Sequence, residues 1–410
     1  MKERGGDKLR SLSSVKDRYL FLMASFLFWV SNFIYMPILS PYIEALGGTY
    51  TFIGIVLSSY GLMQFLFRLP IGIMSDFIKK RKPFIILGML MTMISSLTFA
   101  LTDSLGWALV SRSYAGVAAA TWVAFTVLYS SYFRDAEIHK AMSSISFIVV
   151  LAQLIGMSLS GYIVDKWGWH APFWIGGVLG VIGTIFSLFI YEPKTVAVQT
   201  SIQLKDLLSV VRESLLLKVS LLSILAHSII FTTMFGFVPM YVLEIGLQKS
   251  DLGIIVFSFM IPHGVATLFV DRILLRFVNK WRVLSFFFFS TALFTLITTF
   301  VHTKWLLCML QVANGFSLGI LFPLLLGMSI EPISHEKRAT AMGMYQALYA
   351  IGMFGGPFFA GVLNSLVGIA AGFYFSSVLG VIATWLTLFW DGKDRSCDRH
   401  PILEMDKNNI

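Results

Sequence analysis

Tyr60, Gln64 and Arg68 recur every fourth residue in YGLMQFLFRLPIGIMSDFIKKRK (60–82), one polar stripe on a helix otherwise built of Leu, Phe, Met and Ile. Arg68 lies roughly 12 Å of helix before Asp76, where the apolar run ends in cations. A guanidinium that deep in an apolar medium costs about 2.5–3.5 kcal/mol on insertion scales. It therefore faces a cavity or a partner, where it can hold an anion, or its stem snorkels back to the headgroups. Arg112 is a second embedded cation, roughly 10 Å from the opposite end of its own apolar run. His227, roughly 13 Å into another run, and His263 either titrate near neutral pH or are satisfied hydrogen-bonding residues. Asn32, Tyr345 and Tyr349 complete the polar groups that could line a path for a solute. All 22 acids fall instead in loops, tails or helix ends, Asp76, Asp271 and Glu331 being nearest the apolar core. A buried carboxylate with a raised pKa, for which a cationic drug and a proton could compete, is missing; the embedded charges are positive.

The elements that carry these groups are membrane helices. The chain is 57% hydrophobic and only 13% charged, with a mean hydropathy of +0.78. Apolar runs long enough to cross a bilayer recur near 19–40, 52–75, 83–102, 105–130, 141–163, 172–190, 219–242, 252–271, 283–301, 305–329, 339–363 and 369–390. Runs this long are helices rather than barrel strands, which alternate over about ten residues. The fold class expected is all-α integral membrane, with twelve transmembrane helices. The first apolar run is too long for a signal peptide and reads as a retained span. Cys308 and Cys397 offer neither a disulfide pair nor a metal-ligand spacing, so no cofactor is expected. Lys166, Lys249 and Lys304 are the cations of one side, Arg68 and Arg112 lie within helices, and every other Lys and Arg falls on the side of the termini. That bias makes both termini cytoplasmic, and makes the net charge of +9 a topology signal rather than a nucleic-acid footprint.

A duplication organises the spans. HKAMSSISFIVVLAQLIGMSLSG (139–161) lies over HEKRATAMGMYQALYAIGMFGGPFFAG (335–361) at a shift of 200, matching Gly156 to Gly356 and Gly161 to Gly361. At a shift of 195, Asp76 meets Asp271 and Arg68 meets His263, while Gln311 occupies the place equivalent to Arg112. The polar stretch after Tyr191 divides the spans six and six. The organisation expected is a tail (1–18), a six-helix bundle (19–190), a linker (191–218), a second bundle (219–390) and a tail (391–410). Within the linker, Leu204, Leu207, Leu208 and Val211 have the spacing of a short helix lying on the membrane surface. Two pseudo-symmetric bundles with a site between them is an architecture of secondary transporters.

Three stretches carry a family resemblance. GIMSDFIKKRK (72–82) resembles the helix 2–3 signature of the major facilitator superfamily, in Asp76, Lys80 and Arg81. It departs at Phe77, where the family commonly has Arg, and at Lys79, where the family has Gly, so the tight glycine turn is expected to be absent. LVSRSYAGVAAA (109–120), with Arg112 followed by Gly116, resembles the helix 4 signature. GMFGGPFFAG (352–361) resembles the Gly-Pro signature of the family's antiporters, displaced from helix 5 to helix 11. The resemblance implies that Asp76 caps helix 11 across the cytoplasmic interface as a latch, and that Arg112 helps relay or modulate protonation. The alternatives are a helix-end carboxylate in water and an arginine bonded to backbone carbonyls. Gly352, Gly356 and Pro357 would let helix 11 bend or rock against helix 8 or 2.

These features describe a non-enzymatic, bacterial-type transporter of the plasma (inner) membrane, monomeric, working by alternating access on a proton or other ion gradient. Its partners are a small-molecule substrate and the lipid bilayer, with no nucleic acid. Its cavity charge favours an anionic or carboxylated solute; the alternative is a proton-coupled exporter of amphiphilic drugs. A transporter-like sensor would carry a larger cytoplasmic domain, and no nucleophile–base pair, metal cluster or nucleotide-binding loop points to an enzyme. Reporters fused after Leu46, Thr102, Trp169, Gln248, Thr303 and Leu366 should all read as external, and two or more cytoplasmic readings would overturn the topology.

Overall fold

A computed structural model describes residues 13–133, 137–193, 212–269, 279–333 and 338–399, and among them every regular element is a helix. The twelve passes are α1 (Val15–Phe33 continued by Met36–Ala45), α2 (Tyr50–Ile78), α3 (Lys82–Leu101), α4 (Leu105–Ala120 continued by Trp122–Ser130), α5 (Ile138–Trp167) and α6 (Ala171–Leu188), then α7 (Ser214–Glu244), α8 (Asp251–Phe269), α9 (Lys280–Thr298), α10 (Lys304–Ile330), α11 (Arg338–Val367) and α12 (Ala370–Arg399). Ten of them are long and apolar enough, by length and composition, to cross a membrane. The exceptions are α4, interrupted at Thr121, and α8, described only as far as Phe269. Asp271 and the linker residues Leu204 to Val211 lie outside the described residues.

Helix ends follow capping chemistry more than hydropathy. Ser14 and Asp17 form a capping box that starts α1 at Val15, a turn earlier than the apolar run suggests. In α7 the segment Thr233–Phe237 is a π turn, and α1 is broken at the equivalent depth between Phe33 and Met36.

The duplication is visible in the packing. Gly156 of α5 meets the backbone of Ile34 in α1, and Gly356 of α11 meets Ser228 in α7. Gly161 of α5 meets the Lys249 carbonyl at the start of α8, while Gly361 of α11 lies against Tyr50 and Gly54 in α2. The glycines of α11 therefore bring it against α7 and α2; α8, considered from the sequence as its neighbour, packs instead with α5 and α10. α11 runs through Pro357 as one helix. The outer helices repeat the pattern on the lipid side. VLGVI occurs in both α6 (178–182) and α12 (378–382), with Val178, Ile182 and Ile185 facing outward like Val378, Ile382 and Trp385.

One expectation is corrected. The turn after α2 is tight although it has no glycine, because Lys79 itself adopts the left-handed conformation with φ 56° and ψ 28°. It is the one non-glycine residue with positive φ among those described. Its N–H donates to the Asp76 carbonyl at 3.2 Å, so the helix is closed at the cost of about 1–2 kcal/mol of backbone strain. Lys79→Gly should leave thermal stability in detergent unchanged or higher, whereas the β-branched Lys79→Val should lower it by about 1 kcal/mol or more.

Candidate functional site

A cavity of about 260 Å³ lies on the seam between the bundles. The first bundle contributes the whole α2 stripe, Tyr60, Gln64 and Arg68, together with Trp29 and Phe33 of α1, Trp122 of α4 and Gln153 of α5. The second contributes His227, Ile230, Phe231 and Phe235 of α7, His263 of α8, Phe322 of α10, and Tyr349 and Met353 of α11. No Asp or Glu is among these lining residues.

Arg68 does not snorkel. It is 4% exposed, its Nη1 donates to the Tyr349 hydroxyl at 3.0 Å, and its Nη2 donates to the Ala119 carbonyl at 3.3 Å. Ala119 stands just before the interruption of α4 at Thr121, so that break lies beside the atom holding the guanidinium. The bond to Tyr349 crosses from one bundle to the other. On the far side of Tyr349 the His227 ring is parallel to the phenol, with 2° between planes and 4.0 Å between centroids. The His227 Nδ1–H donates to the Ser223 carbonyl at 2.8 Å, which fixes the imidazole in place.

Arg112 is 2% exposed and sealed away from the cavity lining. Its guanidinium sits 4.1 Å from the centroid of Tyr60, and Nη2 meets the Met36 sulfur at 3.1 Å. Gly116 makes this possible. A Cβ there would lie 2.6 Å from the Tyr60 carbonyl oxygen, so only glycine lets α4 approach α2 at the level of the stack. Tyr60 in turn stacks on Phe231 of the second bundle, at 6.0 Å between centroids.

The remaining sequence candidates lie off the cavity. Asn32 is turned into its own bundle, its Nδ2 donating to the Phe28 carbonyl and to Thr92 Oγ1, both at 2.9 Å. Tyr345 is buried beside Tyr349, edge to face. Gln311 is buried in α10. Asp76 is paired within its own bundle with Arg81, which also bonds Ser75, while Lys80 is exposed. Gly352 and Gly356 pack on α7, and the Pro357 carbonyl lies over Gly54 of α2.

Sequence reasoning missed Trp29, Trp122 and Gln153. Each carried a signal: tryptophan prefers the membrane interface, and a glutamine within an apolar run, like Gln64, must find a polar environment. Phe231, Phe235 and Phe322 carried none, since a phenylalanine facing lipid and one facing a cavity look alike in sequence.

The cavity is sealed on one side. Hydrogen bonds cross the seam from Arg68–Tyr349 outward, through Gln64–Met353 and Ser40–Gly236 to Thr51–Ser365 at the end opposite the termini. Lys249 of the second bundle lies over the Trp169 ring of the first at that end. Toward the termini a Cβ at Gly72 of α2 or Gly343 of α11 would meet nothing within 4 Å, so the close backbone contact seen at Gly54 and Gly61 is not repeated at these positions. The close contacts between the bundles therefore lie on the side of the cavity away from the termini.

Two six-helix bundles, a cavity on their seam and a seal on one side define a secondary transporter. Comparison with known proteins agrees. The Major Facilitator Superfamily profile matches residues 21–250 and 220–404, and the chain belongs to that family. It is 22% identical over 373 residues to an uncharacterised transporter of this type from Methanocaldococcus jannaschii, covering 87% of this chain and 95% of that one. It is 27% identical over 378 residues to the inner membrane transport protein YajR of Escherichia coli, covering 87% and 78%. Among solved structures it is similar to a mutant form of the nucleoside transporter NupG, with a TM-score of 0.77 at 16% identity over 91% of this chain and 99% of that one. The chain is thus a multi-pass membrane transporter of small molecules.

The Arg112–Tyr60 stack gives a packing test. Gly116→Ala should push α4 off α2 and lower stability by about 1–3 kcal/mol, measured as thermal unfolding in detergent.

Proposed function

We propose that this transporter carries a small organic anion, a carboxylate, held by Arg68 at the seam of the bundles. The observation that carries this reading is a lining that contains one guanidinium and no acid. A desolvated cation without a carboxylate partner favours an anion from solution, and the surrounding low dielectric strengthens the attraction. Arg68 also sits where the two bundles meet, so an anion bound there competes with the Tyr349 hydroxyl for a bond that holds the bundles together. Binding is thereby linked to the rocking of one bundle against the other.

In this reading the termini are cytoplasmic, the protein is a monomer of the plasma (inner) membrane, and the described state faces inward. Coupling to protons falls to His227 and His263, the two histidines of the lining. Asp76 and Arg81 pair within one bundle in this state, which fits a latch toward α11 that engages only when the inner side closes. The aromatic walls would also hold a lipophilic cation by its contact with ring faces, which favours drug export as the second reading. The missing acid weighs against it.

Arg68→Gln should weaken binding of the carboxylate substrate about a hundredfold or more, and Arg68→Lys should recover only part of that loss because the planar fork is gone. Counterflow in proteoliposomes with labelled carboxylates and lipophilic cations measures both. Unaltered affinity in Arg68→Gln, or a lipophilic cation as the preferred solute, would replace the anion reading with drug export.

A further inference from the structure

We propose that the anion is a planar aromatic monocarboxylate, whose ring displaces the Tyr349 phenol from His227 and whose carboxylate displaces its oxygen from Arg68. The inference rests on the anion reading above and names the class of substrate.

Tyr349 already shows what the pair Arg68 and His227 binds. Its oxygen accepts from the guanidinium at 3.0 Å, and its ring lies flat on the imidazole at 4.0 Å, the closest ring pair among the described residues. A flat ring bearing one oxygen thus spans both groups. The imidazole is held ready for such a ring, because its Nδ1–H is committed to the Ser223 carbonyl, so little side-chain freedom is left to lose when a new face stacks on it. A carboxylate outcompetes the phenol on Arg68, since it is charged and accepts two parallel N–H bonds where the hydroxyl accepts one.

Charge and wall chemistry narrow the class further. Arg68 is the one Lys or Arg of the lining, because Arg112 is shut beneath Tyr60, so the site balances a single negative charge. The rest of the wall is mainly rings, Trp29, Trp122, Phe231 and Phe322 among them. The Gln64 amide is turned onto the Met353 sulfur at 3.5 Å. Such a wall suits an aromatic body, which it can meet with ring faces.

The test uses the full-length chain in nanodiscs and isothermal calorimetry, with benzoate, cyclohexanecarboxylate and tetraphenylphosphonium as probes. Benzoate should bind about tenfold more tightly than cyclohexanecarboxylate, the size of one ring stack, and the phosphonium more weakly than either. Tyr349→Phe, which keeps the ring and removes the competing oxygen, should bind benzoate about threefold or more tightly than the unaltered chain, because a bond to the guanidinium no longer has to be broken. Equal affinity for benzoate and cyclohexanecarboxylate would overturn the aromatic assignment while leaving the anion reading intact. Weaker benzoate binding in Tyr349→Phe would overturn the displacement. Binding of the phosphonium in preference to both carboxylates would overturn this inference and the anion reading together. The comparison of ligands on the unaltered chain decides the matter even if the variant does not fold.

Discussion

Two helical bundles can seal a membrane pathway only where helix backbones come into contact, and in this protein glycine decides where that happens. Gly54 and Gly61 of α2 meet Pro357, Gly361 and Met353 of α11, while Gly161 and Gly253 bring α5 and α8 together on the other flank. Side chains at these positions would hold the helices apart and leave the seam open to water. Without a hydrophobic drive between apolar helices in lipid, this close contact is what supplies van der Waals attraction. The inter-bundle hydrogen bonds run from Arg68–Tyr349 toward the end opposite the termini, and the cavity that Arg68 lines lies where they begin. The inter-bundle hydrogen bonds from Arg68–Tyr349 to Thr51–Ser365 depend on this close approach.

The two embedded arginines show how packing assigns different work to the same side chain. Both are nearly inaccessible, both belong to the first bundle, and among the described residues neither forms an ion pair with a carboxylate. Arg112 spreads its charge over the face of Tyr60, an arrangement that depends on Gly116 and is complete within the protein. Arg68 is bonded to a backbone carbonyl and to a tyrosine of the opposite bundle, an arrangement that changes whenever the bundles move. Tyr60 lies between them and touches Phe231 across the seam, so the sealed cation and the cavity share one aromatic wall.

Much of the architecture was legible because membrane helices obey a local rule: backbone groups in lipid must bond within their own segment, so length and apolarity suffice to find them. The interruption of α4 at Thr121, whose hydroxyl packs against Gly88 of α3, was not legible, since the apolar run continues through it. Nor was the conformation of Lys79, because a lysine in the left-handed region breaks the propensity from which a glycine turn is inferred. The polar stripe of α2 was visible as a period of four. Of the opposite wall, His227, His263 and Tyr349 were visible as polar groups within apolar runs, whereas Phe231, Phe235 and Phe322 were not, since a phenylalanine facing a cavity looks like one facing lipid.

Sequence alone determined the class of protein: an all-helical membrane chain, duplicated at a shift of about 200 residues, with positive charges and no acids in its apolar core. These are properties of composition, length and spacing, and each is set within one helix or between two copies of one segment. Tertiary structure decided which embedded charge faces the cavity, which ring lies against which, and which end of the seam is closed. Those outcomes depend on the rotation of each helix about its axis and on contacts between residues more than a hundred positions apart. Arg68 and Tyr349, 281 residues apart in the chain, become partners only when α2 and α11 approach to backbone distance.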